Sequence, residues 1–154
     1  MLDNIIEDKK FADLMRNNLQ DLIIYMFERE QNFGILCNIE NVTFEPPLPP
    51  EIQSEFRPMT LFFLAGYTFE TARIIDDTIV FEAGFGRENI GSVVTVPLLS
   101  IIQIIIDETP VLINLANYTK FEQANHDIKK IDEDGIENSM ASFLSNPENA
   151  KFLK

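Results

Sequence analysis

The sequence predicts one α+β domain: a small barrel of strands, an amphipathic helix laid against it, and a short helix after a central hairpin. Three observations carry that reading. An apolar stripe of helical period runs from about Asp8 to Gln31. An alternating run from Ile79 to Gly86 reaches a glycine turn and is answered by the β-branched run Val93 to Pro97. The 154 residues fit one domain, and 45% apolar against 24% charged residues is the balance of a chain able to bury one core.

In the N-terminal helix the stripe is Phe11, Met15, Leu19, Leu22, Met26 and Phe27, joined by Leu14 and Ile23. Asp13, Arg16, Asn17, Gln20, Asp21 and Glu28 take the other side. Asn32 and Gly34 supply the stop. A stripe this wide either packs on a sheet or forms a dimer seam. Ile35 to Phe44 then reads as a strand, broken near Asn41, with Cys37 a small apolar residue in it. Pro46, Pro47, Pro49 and Pro50 lack the backbone donor and restrict their neighbours, so they form a stiff connector crossing between sheet edges. Met59 to Ala65 is a continuous apolar run suited to a buried strand, ended by Gly66. Thr68 to Ile75 is a weaker strand, and Asp76, Asp77 and Thr78 make the turn into the hairpin.

Two signals compete after the hairpin, from Pro97 to Glu108. Five isoleucines favour a strand. Pro97 suits the first turn of a helix, and Ser100, Gln103 and Asp107 recur three and four apart. The spacing decides for a short, buried helix. Thr109-Pro110 ends it, and Val111 to Leu115 is the closing strand. The domain therefore spans residues 1–117, and residues 118–154 form an acidic, partly helical tail. That tail contains the charged stretch Lys129 to Gly135, a short amphipathic helix with Ile136, Met140, Phe143 and Leu144, and the ending Lys151-Phe152-Leu153-Lys154.

The net charge of −13 repels a phosphate backbone or an anionic bilayer. Its twelve basic residues are scattered, the closest groupings being Lys9-Lys10 and Lys129-Lys130. No nucleic acid and no membrane are expected as partners. A lone Cys37 excludes an internal disulfide and fits a reducing compartment. Acids stand at the N-terminus where a signal peptide needs positive charge, and no apolar run approaches the roughly 20 residues of a membrane span. The expectation is a cytoplasmic protein.

Catalytic patterns are not found. A zinc site or a nucleophile–histidine pair would have to rely on His126, the only histidine, in a polar stretch. Asp132-x-Asp134-Gly135 matches part of a calcium loop but lacks the other ligands, including a glutamate at 141, where Ala stands. Gly84-x-Gly86 with Gly91 leads into a strand, whereas a dinucleotide fingerprint leads into a helix. The expectation is a binding protein without metal, cofactor or catalytic residues.

The hairpin carries a resemblance. Phe81-x-Ala83-x-Phe85-Gly86, a short turn, then Val94-Thr95-Val96-Pro97-Leu98-x-x-Ile101-x-x-Ile104 resembles the SspB family (stringent starvation protein B), adaptors that deliver ssrA-tagged polypeptides to the ClpXP protease. The order of elements agrees over roughly residues 11–117, and the close residue match is confined to 79–104. The resemblance implies an Sm-like β-barrel, dimerisation through the N-terminal helix, and a groove for an extended peptide tag at Phe81, Ala83 and Phe85. A small alanine admits a peptide backbone and the rings give apolar walls. Those three residues share one face of a strand, so by pattern alone they either line the groove or fill the core. The resemblance also implies that Phe152, Leu153 and Lys154 dock on ClpX. Here the linker is short, and Phe152-Leu153 replaces the usual aliphatic doublet. A small acidic chaperone or assembly factor for secreted or flagellar subunits is the alternative that charge and size also allow.

Overall fold

The computed structural model describes residues 1–116. The expectations for His126, for the tail helix and for Phe152, Leu153 and Lys154 lie outside the described residues.

A single-turn helix α1 (Leu2–Ile6) precedes the long α2 (Lys9–Glu28). Asp8 caps α2 by accepting a hydrogen bond from the Lys10 N–H at 3.4 Å. Ala12, Leu19, Ile23 and Met26 are buried, and Phe11, Met15, Leu22 and Phe27 pack half-buried beside them. The stripe expected from the sequence therefore faces the core, with one correction. Leu14 is exposed. It stands five residues before Leu19, about 140° around the helix, and so points outward.

The strand that follows is broken where expected. β1 (Phe33–Asn38) gives way to a 3-10 turn at Ile39–Asn41 and resumes as β2 (Thr43–Glu45). The proline segment contains one helical turn, α3 (Pro50–Gln53). β3 (Met59–Leu64) then pairs with β1. The run at 59–65 is not buried on both faces: Phe62 and Leu64 point inward, while Met59, Leu61 and Phe63 are exposed. Instead of one weak strand at 68–75, α4 (Tyr67–Thr71) is followed by β4 (Arg73–Ile75). Asp76 and Asp77 both adopt positive φ, making the two-residue turn into the hairpin of β5 (Thr78–Phe85) and β6 (Ile90–Pro97).

The helix expected over Pro97–Glu108 is not formed. Leu98–Ser100 is a 3-10 turn, and β7 (Ile101–Ile106) follows, paired with β1. The misleading spacing has a physical cause. Leu36 pairs with Gln103 but its neighbour Cys37 pairs with Ile101, so Ile102 is an extra, bulged residue. The bulge lets Ile101 and Ile104, three apart, both face the core, which mimics helical period in the sequence. A second two-residue turn at Asp107 and Glu108, again both at positive φ, leads to β8 (Thr109–Ile113).

The strands form two antiparallel four-stranded sheets, ordered β3-β1-β7-β8 and β2-β6-β5-β4. β1 continues into β2, and β6 into β7, so two long runs each switch sheets at a 3-10 turn. Such strand-switching corners join face-packed sheets. The ladders end at edge strands and do not close into a barrel. Ile35, Leu64, Ile101 and Ile104 from one sheet meet Ile79, Phe81, Val94 and Val96 from the other in the core, and α2 packs across Leu98–Ser100. The phenylalanine-rich composition finds its use in two clusters: Phe27, Phe33 and Phe69 pack together, and Phe44, Phe56, Phe62, Phe81 and Phe85 interlock. Phe44 stacks on Phe56 at 5.5 Å, and Phe62 meets Phe81 edge-on at 5.7 Å.

A buried amide pins the corner between the sheets. Asn114 Nδ2 donates to the carbonyls of Leu99 (3.1 Å) and Ile101 (2.9 Å), and its Oδ1 accepts from the Ala116 N–H (2.9 Å). Cys37 is fully buried and its thiol donates to the Thr60 carbonyl; burial pushes the thiol pKa up to about 12. Among the described residues no helix is long and apolar enough to cross a membrane.

Candidate functional site

The hairpin turns at Gly86–Asn89, where the Asn89 N–H donates to the Gly86 carbonyl at 3.2 Å. Gly86 has φ +74°, a conformation that glycine adopts without penalty. From that turn the register runs Phe85–Ile90, Gly84–Gly91, Ala83–Ser92, Glu82–Val93 and Phe81–Val94. Alternation then divides the hairpin into two faces. Phe81, Ala83 and Phe85 share the core face, while Glu82 and Gly84 share the outer one.

The structure thus settles which way the three sequence-predicted residues point. Phe81 is fully buried and packs on Phe62, so its ring is no wall for a peptide. The pattern at 81 is the same for a groove and a core, and the facing sheet makes it core. Phe85 is half-buried, edge-on to Phe44 and Phe56 at the rim of the aromatic cluster. Ala83 packs against the core on the same face, yet also borders a cleft of about 350 Å³. What it offers that cleft is main chain.

The cleft lies over the outer face of the hairpin. Its floor is the cross-strand pair Gly84 and Gly91, and the open space lies over Gly91. A Cβ on Gly84 would fall 1.8 Å from Asn89 Oδ1, because the Asn89 side chain lies across that position. A Cβ on Gly91 would meet nothing within 4 Å. Glu45 pairs with Val93 and Val93 with Glu82, so these three stand in one row across β2, β6 and β5. Pro46 closes one side, tied to the hairpin by the Ser92 hydroxyl, which donates to its carbonyl at 2.9 Å.

Tyr67, on α4, forms another part of the lining. Its hydroxyl donates to Glu82 Oε2 in a short hydrogen bond. That bond first, and the carboxylate charge second, raise the Tyr67 pKa above the ordinary tyrosine value. The Glu82 N–H donates to Thr71 Oγ1 at 2.9 Å, which ties α4 to the strand behind the cleft. Two carboxylates, a phenol and an amide therefore surround a glycine floor that is open at Gly91. Such a site can hold a short extended chain by main-chain and polar contacts, and its charge favours basic or neutral groups.

Sequence reasoning placed Ala83 at this site and missed Glu45, Tyr67, Glu82, Asn89 and Gly91. Single carboxylates do not stand out in a chain with 25 acidic residues. The readable signal was Gly84 and Gly91, whose facing positions follow once the hairpin register is set. Among the described residues no group of three or more His, Cys, Asp or Glu side chains is placed to hold a metal ion. Comparison with protein-family models, with curated proteins and with solved structures finds no match to this chain.

Proposed function

We propose that this chain is a non-enzymatic adaptor of the SspB kind, which holds an extended ssrA-type peptide tag and delivers the tagged polypeptide to the ClpXP protease. The observation that supports it is the open, glycine-floored cleft on the hairpin that carries the resemblance. A volume of about 350 Å³ lies in the range of ligand clefts and suits a short stretch of chain. In this reading Phe81 and Phe85 are the rigid backing of the binding strand. Ala83, Gly84 and Gly91 present main chain to the tag, and Glu45, Tyr67, Glu82 and Asn89 orient it.

The two sheets are, on this proposal, an SspB-like, Sm-type barrel left open at its edges. Phe152, Leu153 and Lys154 dock on ClpX, and tethering raises the effective concentration of the tagged chain at the protease. The adaptor works as a homodimer in the cytoplasm and needs no cofactor, nucleic acid or membrane. Titrating a fluorescein-labelled ssrA-type peptide with the full chain and following anisotropy tests the reading. Saturable binding is expected, and its absence at high protein concentration refutes tag recognition.

A further inference from the structure

The cleft over the hairpin carries charge of one sign. Among the described residues that line it, Glu45 and Glu82 are the charged ones, and none is Lys, Arg or His. Neither carboxylate has an ion-pair partner among the described residues. The hydrogen-bonding groups are just as one-sided. Tyr67 directs its one hydroxyl proton at Glu82, and Ser92 directs its own at the Pro46 carbonyl. Both hydroxyls therefore face a ligand as acceptors, beside the remaining carboxylate oxygens of Glu82 and Glu45. Of the lining side chains only the Asn89 amide brings N–H groups.

Register fixes how these acceptors stand. Glu45 lies opposite Val93, and Val93 opposite Glu82, so half-buried Val93 sits between two carboxylates whose strands are about 10 Å apart. Gly91, two residues away on the same face of β6, leaves the neighbouring space open. Glu82 is held from the α4 side, where its carboxylate accepts from Tyr67 and its N–H donates to Thr71 Oγ1.

A lysine or arginine side chain fits this row. Its methylene stem lies along Val93 while its charged head reaches the carboxylates on either side. An acidic side chain in the same place meets two like charges and no cation. We propose that the peptide held here carries a basic residue over Val93, bound between Glu45 and Glu82, and that an acidic residue at that place is rejected. The inference rests on the tag-binding reading and names the class of tag that the cleft selects.

The test is a set of fluorescein-labelled ssrA-type peptides, each with one position changed to Lys and, in a matched peptide, to Glu. Each is titrated with the full chain and followed by anisotropy. At the position over Val93 the Lys peptide is expected to bind roughly tenfold tighter than its Glu partner, the contribution of two partly exposed ion pairs. Glu45→Gln with Glu82→Gln is expected to abolish that contrast. Glu82→Gln keeps an acceptor for the Tyr67 hydroxyl, so cooperative thermal unfolding should be retained. Should the double variant unfold, Glu45→Gln alone, at an exposed residue, is expected to shrink the contrast. Asp21→Asn with Glu28→Gln removes the same two charges from α2 and is expected to leave the contrast intact, which separates the cleft from the overall charge of −13. Peptides that bind with Lys and Glu equal at every position overturn this inference and leave tag recognition standing. A contrast that survives in the cleft variant, or that is lost equally in the α2 variant, also overturns it. Binding by no peptide of the set refutes tag recognition, and the inference with it.

Discussion

Truncating Phe81 to alanine separates a core residue from a groove wall. The ring is fully buried, meets Phe62 edge-on at 5.7 Å and stands opposite buried Val94 on the next strand. Removing it leaves a void that the two sheets close only in part, at a cost of about 3–5 kcal/mol. Against a domain stability of about 5–15 kcal/mol that is a large fraction. For a chain of this size each kcal/mol lowers Tm by about 2–4 °C, so the expected fall is about 10 °C. Phe81→Leu keeps most of the apolar volume and is expected to cost about 1.5 kcal/mol or less. Urea titration followed by circular dichroism gives both values as midpoint shifts at constant slope. Peptide affinity of the folded variants should stay near wild type. A loss below about 1 kcal/mol for Phe81→Ala, accompanied by loss of tag binding, would refute the assignment of the ring to the core.

Two further outcomes follow from buried groups. Asn114→Ala strips the side-chain partners from the Leu99 and Ile101 carbonyls and the Ala116 N–H, and should cost about 2–4 kcal/mol in the same titration; a cost below about 0.5 kcal/mol would show the corner to be held otherwise. Cys37 keeps its proton in the folded chain up to about pH 12, against 9.0 for a free thiol. The stability carried by the neutral thiol is thus fully present below pH 9 and is lost as pH rises toward 12. At pH 8 the native thiol should resist a disulfide reagent that labels the urea-unfolded chain at once, and rapid labelling of native protein would contradict its burial.

Legibility in the sequence followed the regularity of each element. The α2 stripe and the 79–97 hairpin were readable because period and turn chemistry agree there. β7 was not, since the bulged Ile102 spaces Ile101 and Ile104 as a helix would. The exposure of Met59, Leu61 and Phe63 was hidden because an apolar strand looks the same whether one or both faces are covered within the chain. The cleft was hidden for a different reason. Glu45, Tyr67 and Glu82 come from three segments, and only the register of β2 on β6 and the docking of α4 bring them together. Phe81 and Phe85 were found as a pair of the right type, but their direction belongs to the opposing sheet.

The central claim is that the hairpin cleft is where a peptide lies, and Gly91→Leu tests it most directly. A side chain at 91 enters open space, with nothing within 4 Å of its Cβ, and extends over the cleft floor. Replacing a strand glycine should leave stability unchanged or raise it by up to about 1 kcal/mol. Anisotropy with a labelled ssrA-type peptide should then show saturable binding for wild type and at least about tenfold weaker binding for Gly91→Leu, a difference of about 1.4 kcal/mol. Equal affinity of the two proteins for the peptide would contradict the account.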